Sequence, residues 1–470
     1  MKPMKVSLVE AVFPGRGSLY GNMRLSLLAG DLQAGGHLVR VFTVESTPGG
    51  VPSSVLKRFL QDPFAAASDA VVFYRVWPDD LARAVRKRSP RARLCLYESG
   101  TPFELLPGVE VVTGGRFSIM RVVEGRAGGR ARSAADESGL FVPAARPFRP
   151  DLRRTVIFSR GLAPESGGAA ELLGRLNCPY RRSVRLNPLF DGLDLPGNVA
   201  FTGGCSMCLF RVSRAASVDR SEWVDSIVRQ MRWIRENGRA VADFRLCEHA
   251  PLDHLDALLA RLRREGISDL TLLLDLRVDQ LLSKKTDWAA VAALARRART
   301  RLDFACIGFE NFSQPELERL NKGTTAVQNV AAVRFLRRLC AQAGDVFSCR
   351  HAAAGFILFS PWTTPRDLAV NVRMFRALDF GELCAGLARM RLCLYPEMPL
   401  YHLAARDGLL LERLPPGWRR SLNNTAADHP WTFASERTKA VHDEAMRLLG
   451  QGRGDDVDAL EEALRAAGPG

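Results

Sequence analysis

From residue 198 onward the chain alternates six times between a short β-type run and a helical one. No other feature limits its fold as much. The β-type runs are NVAFTGG, AVADFRLCE, LTLLLDLR, RLDFACIGFE, AAAGFILFSP and ARMRLCLYP. Helical spacing of apolar residues separates them over 221–237, 253–265, 286–299, 324–342 and 364–378. Strands alternating with helices of this length pair in parallel, because each helix returns the chain to the start of the next strand. The pattern predicts a partial (β/α)6 barrel over 198–399 and a mostly helical extension over 400–470. The runs KVSLVEAVF, HLVRVFTV, AVVFYRV, RARLCLY and GVEVVTG predict an N-terminal Rossmann-like parallel sheet over 1–125. GRAGGRARSAADESG and the turn-rich NPLFDGLDLPGN make 126–197 a linker and lead-in segment. The expected class is α/β throughout.

An apolar fraction of 47% and a charged fraction of 25% are those of a soluble globular protein. No apolar stretch approaches the roughly 20 residues that span a bilayer. The opening MKPMKVSLVEAVFPG has too short an apolar run, and no clear cleavage site, for a secretory signal. The expected compartment is the cytoplasm, with no membrane partner. The net charge of +15 invites a nucleic-acid reading, but only eight of the 66 basic residues are lysine. That excess of arginine, with abundant Ala, Gly and Leu, reads as a GC-rich bacterial codon bias. No aromatic-interleaved basic stripe accompanies it, which argues against a nucleic-acid groove.

Barrel enzymes place their chemistry at the C-terminal ends of the strands. The first strand here delivers GGCSMCLFR (203–211), with Cys205 and Cys208. The second ends at Glu248, the third at Asp275 and Arg277, and the fourth at Glu310, with Cys306 on the same face by alternation. Any one carboxylate at such a place also serves as a helix cap or a partner for a surface arginine; the set at one rim is what singles them out. The Cys205-x2-Cys208 pair reads equally as a redox disulfide, half of a zinc site or two buried thiols. A thioredoxin-like disulfide wants the pair opening a helix in a small domain. Zinc wants four ligands, and no second CxxC or His pair stands nearby.

Three longer segments carry a resemblance. FACIGFENFSQPELERLNKGTT (304–325), GFILFSPWTTPRDLAVNVRMF (355–375) and LYPEMPLYHLAARDGLL (394–410) are similar to the radical S-adenosylmethionine (SAM) superfamily, and specifically to its cobalamin-binding class. The first hundred residues look like the cobalamin-binding domain that precedes the barrel in that class. The resemblance implies a [4Fe–4S] cluster held by three thiolates of a C-x3-C-x2-C loop, with the fourth iron chelated by SAM. One electron then cleaves the sulfonium to a 5′-deoxyadenosyl radical, and cobalamin delivers a methyl group to an unactivated carbon. It assigns Cys205 and Cys208 to the cluster, and Gly203, Gly204, Phe210, Glu248, Arg277 and Glu310 to SAM. Corrin contacts are expected at Gly15, Ser18, Leu19, Tyr20, Arg75, Trp77, Glu98, Ser99 and Gly100. No D-x-H-x-x-G motif offers an axial histidine, and no catalytic residue is assigned.

The loop departs from that pattern. One alignment puts Phe201 where the first cysteine belongs; the other, which fits the flanking GGC and CLF better, puts Arg211 where the third belongs. Neither side chain replaces a thiolate. Cys306 faces inward with Glu310 but lies four residues before it, about 13 Å deeper by strand rise, and Cys247 faces away. NCPYRRSVR (177–185) echoes the motif but precedes a turn-rich segment and is read as coincidence. The expected function is a cobalamin-dependent radical SAM enzyme of bacterial biosynthesis. It would be a C-methyltransferase or a related radical enzyme acting on a small molecule or peptide and served by an electron donor. The alternative is a lapsed chain without a standard cluster, acting as a cobalamin- or SAM-binding protein or as the partner of a radical SAM protein.

Overall fold

Val, Leu and Phe fill the N-terminal strands almost without interruption, as strands covered on both faces require. The computed structural model describes residues 3–12, 23–46, 51–74, 79–97, 108–112, 150, 155–158, 169–174, 178–195, 203–208, 218–237, 241–349, 353–384, 386–413 and 429–468. The chain divides into two units. The first comprises Met1–Arg175, Ser213–Cys247 and Leu422–Asp428, and the second Leu176–Val212, Glu248–Ser421 and His429–Gly470.

In the first unit, β1 (Lys5–Val12), α1 (Met23–Ala34), β2 (Leu38–Glu45), α2 (Ser53–Gln61), α3 (Pro63–Ala66), β3 (Ala70–Tyr74), α4 (Asp79–Arg88), β4 (Arg93–Tyr97), β5 (Val109–Val112) and β6 (Thr155–Phe158) follow in order. The six strands form one parallel sheet in the order β5-β4-β3-β1-β2-β6. Leu25, Leu28 and Leu32 of α1 cover one face, against Val6, Leu8, Val39, Val41 and Val72. Val55 and Phe59 of α2, with Leu81 and Val85 of α4, cover the other, against Phe42, Phe73, Leu94 and Leu96. The strand order reverses between β1 and β3. Ligands of such sheets bind outside the carboxyl ends of the strands at that switch point.

The same unit carries β7 (Ala170–Leu173), α5 (Arg220–Asn237) and β8 (Asp243–Cys247), with β7 and β8 parallel. The buried amide of Gln230 on α5 closes on the Leu173 backbone, accepting from its N–H at 2.8 Å and donating to its carbonyl at 3.1 Å. It thereby satisfies backbone groups of β7 that a neighbouring strand would otherwise pair.

The second unit continues with α6 (Leu255–Arg264), β9 (Leu270–Arg277), α7 (Val278–Leu281), α8 (Trp288–Arg297), β10 (Thr300–Glu310), α9 (Gln314–Arg319), α10 (Ala326–Gln342), β11 (Phe347–Ser348), β12 (Ala353–Phe356), α11 (Pro365–Ala377), α12 (Pro399–Arg406), α13 (Glu436–Gly450) and α14 (Asp456–Ala466). The longest strand, β10, pairs in parallel with β9, β11 and β12. Rings of Phe309, Phe312, Phe356, Phe375 and Phe380 pack beside its end, with Phe312 and Phe380 centroids 5.0 Å apart. The helices start where the sequence offers caps. Thr325 and Gln328 form a reciprocal capping box on α10, and Thr364 and Asp367 form another on α11, where Pro365 opens the first turn.

The expected α/β class, with parallel sheets in both halves, is what the chain adopts. The run ARMRLCLYP forms no strand; it contributes a single parallel bridge between Arg391 and Phe359. Most of NVAFTGG lies outside the described residues. No helix among the described residues is long and apolar enough to cross a membrane.

Candidate functional site

The end of β10 is bent by a one-residue irregularity. Gly308 pairs with Gly355, but the next β12 partner, Phe356, lines up with Glu310. Glu310 takes a left-handed backbone, φ 64°, a conformation that costs a non-glycine residue roughly 1–3 kcal/mol and survives only where its surroundings enforce it. Asn329 enforces it here, donating from Nδ2 to the Phe309 and Asn311 carbonyls at 2.9 and 2.7 Å. The Glu310 carboxylate is thereby aimed at Lys322, whose Nζ lies 2.8 Å from Oε1. Both partners are buried, Lys322 being only 4% exposed. A Cβ on Gly308 would stand 2.7 Å from Nζ and 2.8 Å from Oε1, so only glycine leaves room for the pair.

Lys322 sits in the turn after α9, between two left-handed residues, Asn321 (φ 46°) and Gly323 (φ 74°). Asn321 Nδ2 donates to the Gly204 carbonyl at 2.7 Å and the Arg182 carbonyl at 3.2 Å. Ser206 adds two bonds to the same turn, Oγ to the Arg319 carbonyl at 2.8 Å and N–H to the Leu320 carbonyl at 2.9 Å. The Cys205–Cys208 loop is thus moulded onto the LNKG turn.

Arg277, the last residue of β9, reaches the loop from the other side. Nη1 donates to Cys205 Sγ at 3.3 Å, Nη2 to the Lys322 carbonyl at 2.8 Å and Nε to Asp279 at 2.9 Å. Its guanidinium lies 4.3 Å from the Tyr180 ring centre. Tyr180 Oη is buried and makes no hydrogen bond among the described residues.

The electrostatics follow from that crowding. Burial pushes the Cys205 thiol up, with Lys322 and Arg277 opposing and Glu310 and Cys178 adding to the rise. Burial works against the charge of Lys322, yet Glu310 and then Cys205 outweigh it, and its ammonium is held above the usual range. Arg277 behaves alike, burial being outweighed by Cys205 and Asp279. Two cations therefore face one buried thiol and one buried carboxylate.

The structure brings Gly203, Gly204, Cys205, Arg277 and Glu310 to one place. Cys208 closes the loop, its N–H donating to the Cys205 carbonyl at 3.3 Å. Glu248 is buried and holds the turn after β8, its Oε1 accepting from the N–H groups of His249 (3.0 Å) and Ala250 (3.2 Å). Gln280 joins that turn to Arg277, donating to the His249 carbonyl at 2.7 Å and accepting from the Arg277 N–H at 2.9 Å. Phe210 and the corrin candidates Gly15, Ser18, Leu19, Tyr20, Arg75, Trp77, Glu98, Ser99 and Gly100 lie outside the described residues.

Sequence reasoning missed Lys322, Tyr180 and Cys178. The LNKG turn was visible but its lysine was not marked as the partner of Glu310. The segment read as a coincidental echo, NCPYRRSVR, lies against the loop: Ser183 bridges Gly203 in antiparallel fashion and Gly204 N–H donates to the Arg182 carbonyl at 2.9 Å.

Among the described residues no three His, Cys, Asp or Glu side chains converge closely enough to hold a single metal ion. A thiolate-bound cluster is a different demand, since each thiolate binds a separate iron corner. Two loop thiols, two cations to offset thiolate charge and the orphaned Tyr180 hydroxyl fit such a group.

No protein-family model matches the sequence, and no curated protein matches it. Solved structures do. The chain is similar to the cobalamin-dependent S-adenosylmethionine radical enzyme OxsB with aqua-cobalamin and S-adenosylmethionine bound, with a TM-score of 0.54 and 12% identity over 96% of this chain and 67% of that one. The apo, selenomethionine-labelled form of OxsB matches with a TM-score of 0.53 and the form with aqua-cobalamin alone with 0.51, at the same identity and coverage. The chain therefore has the fold of a cobalamin-dependent radical S-adenosylmethionine enzyme.

Proposed function

We propose that the protein is a cobalamin-dependent radical SAM-type enzyme, a C-methyltransferase or related radical enzyme acting on a small molecule or peptide in bacterial biosynthesis. One observation carries this reading. Cys205, Arg277, Lys322 and Glu310 form a buried cluster at the strand ends in which two cations face one thiol and one carboxylate, within a fold otherwise seen in such an enzyme. A left-handed Glu310 beside a buried lysine is the strained, charged kind of arrangement that gathers at functional sites.

When bound, an iron–sulfur cluster would supply one electron to SAM and cobalamin would carry the methyl group. Cys205 and Cys208 would hold the cluster. The amino acid part of SAM offers one amino and one carboxylate group. Glu310 suits the first, and Arg277 with Lys322 suits the second through charge-assisted hydrogen bonds. Gly203 and Gly204 let the loop backbone approach closely, with Phe210 beside the adenine and Glu248 bracing the rim. Cobalamin would lie at the switch point of the first unit, against the segments that contain Gly15 to Tyr20, Arg75, Trp77 and Glu98 to Gly100.

A second reading is a protein that binds cobalamin or SAM without a cluster and assists a radical SAM partner. The Arg277–Cys205 hydrogen bond favours it, because that sulfur already has a donor. The deciding experiment reconstitutes the protein anaerobically with iron, sulfide, cobalamin and SAM, with a Cys205→Ala/Cys208→Ala control. Iron retention and formation of 5′-deoxyadenosine or S-adenosylhomocysteine, both lost in the control, support the enzyme. Cobalamin retained with near-zero iron supports the second reading.

A further inference from the structure

We propose that Cys178 supplies the third thiolate for a cluster at this site, completing from outside the loop the set that Cys205 and Cys208 begin. The proposal rests on the cluster-binding reading given above. Residues 182 and 183 lie against the loop and are fastened to it three times. Ser183 bridges Gly203, Gly204 N–H donates to Arg182, and Asn321 Nδ2 clamps the Arg182 and Gly204 carbonyls together. Cys178 lies five residues before Ser183, at the start of the segment that is fastened to the loop.

The side chains of this segment reach the same site. Tyr180, two residues beyond Cys178, lies over the guanidinium that donates to Cys205 Sγ. The Cys178 thiol acts electrostatically on both Cys205 and Arg277. It thus stands near both, as thiolates bound to neighbouring corners of one cube must. Cys306 is the competing donor. It lies lower on β10, paired with Asp275 and Ala353, and its Sγ is 3.7 Å from where a Cβ on Gly355 would be.

Each thiol that becomes a ligand exchanges its proton for an iron and releases the proton to solvent. The iron–thiolate unit then carries the negative charge, and Arg277 and Lys322 remain to offset it. No oxidant or reductant enters this exchange.

The test loads wild type, Cys178→Ala, Cys178→Asp and Cys306→Ala anaerobically with iron and sulfide. It counts iron per chain and records the electron paramagnetic resonance spectrum after reduction, with the thermal melt as a check on folding. Wild type and Cys306→Ala should hold about four irons, and Cys178→Ala under about one. Cys178→Asp, which replaces sulfur by an oxygen ligand, should keep a cluster with shifted g-values. Undiminished iron and an unchanged spectrum in Cys178→Ala and Cys178→Asp would overturn the role of Cys178 and leave the cluster reading standing. Near-zero iron in wild type would overturn both.

Discussion

Arg277 and Cys205 meet guanidinium to sulfur, Nη1 3.3 Å from Sγ, while the remaining nitrogens of the same guanidinium hold Asp279 and the Lys322 carbonyl. A planar fork of five donors can serve sulfur, carboxylate and carbonyl at once and still stack on Tyr180; an ammonium cannot. Arg277→Met should lower the unfolding free energy by about 2–3 kcal/mol, because a buried carbonyl and thiol lose a charged donor. Arg277→Lys should recover less than half of that. Urea unfolding of the two variants measures both values.

Lys322 is a stronger dependency than its place in a turn implies. Lys322→Met leaves the Glu310 carboxylate buried without its cation and should cost about 3–5 kcal/mol, much of it recovered in Lys322→Met/Glu310→Gln. The folded ammonium titrates above its ordinary value of 10.5. The stability it contributes is therefore fully present below that pH and lost only as pH rises through the higher folded value. An unfolding midpoint unchanged in Lys322→Met would contradict the assignment.

Gly323 tests the contact between the turn and Tyr180. A methyl group at 323 would run into the Tyr180 ring, and the backbone there has φ 74°. Gly323→Ala should destabilise by more than about 2 kcal/mol, since steric overlap adds to the left-handed penalty. In a Tyr180→Ala background only the backbone share, about 1 kcal/mol, should remain. A double-mutant cycle separates the two contributions.

His442 on α13 sets an acid limit. Its ring stands edge-on to Phe359 with centroids 5.0 Å apart. Burial holds the imidazole below its usual 6.5, against the pull of Asp443, which bonds Nδ1 at 3.0 Å; Arg391 and Lys439 reinforce the depression. The unfolded chain therefore binds a proton first as pH falls. The stability of the neutral ring is intact above about 6.5 and declines below it, until the folded value is passed. The melting temperature of His442→Gln should fall less between pH 7 and 5 than that of wild type.

Cys340 and Cys349 stand thiol to thiol, Sγ to Sγ 3.6 Å. The hydrogen bond from Cys349 lowers the Cys340 thiol and makes it the attacking sulfur. Treatment with a small-molecule disulfide should pass through a mixed disulfide to a Cys340–Cys349 bond, releasing two small thiols. Mass spectrometry should show two hydrogen atoms lost per chain, taken up by the small disulfide as it becomes two thiols, and no lasting adduct at this pair. Cys349→Ser should instead keep the adduct on Cys340.

The long periodic segments were legible in the sequence. The helix read over 221–237 runs Arg220–Asn237, and LTLLLDLR forms β9 from Leu270 to Arg277. Four-residue strands such as β6 and β7 carry too few alternations to be told from loop. Arg277 and Glu310 were found because strand ends are where chemistry gathers. Lys322 was not, because its pairing depends on left-handed backbones at 310 and 321 that leave no periodic trace. Simple alternation from Cys306 to Glu310 also fails at the irregularity after Gly308. Cys178 carries no motif spacing of its own, and its nearness to Cys205 arises only in the folded chain.

The Asn321 clamp has a consequence for how the molecule is made. Its two carbonyl partners lie 139 and 117 residues earlier in the chain. A nascent polypeptide has therefore finished the Cys205–Cys208 loop long before the residue that shapes it has been synthesised. Contacts of such long separation form late in folding, after their loop-closure entropy has been met. Until then the two thiols stand on an unshaped segment, so the arrangement of Cys205 and Cys208 belongs to the completed chain rather than to the ribosome-bound one.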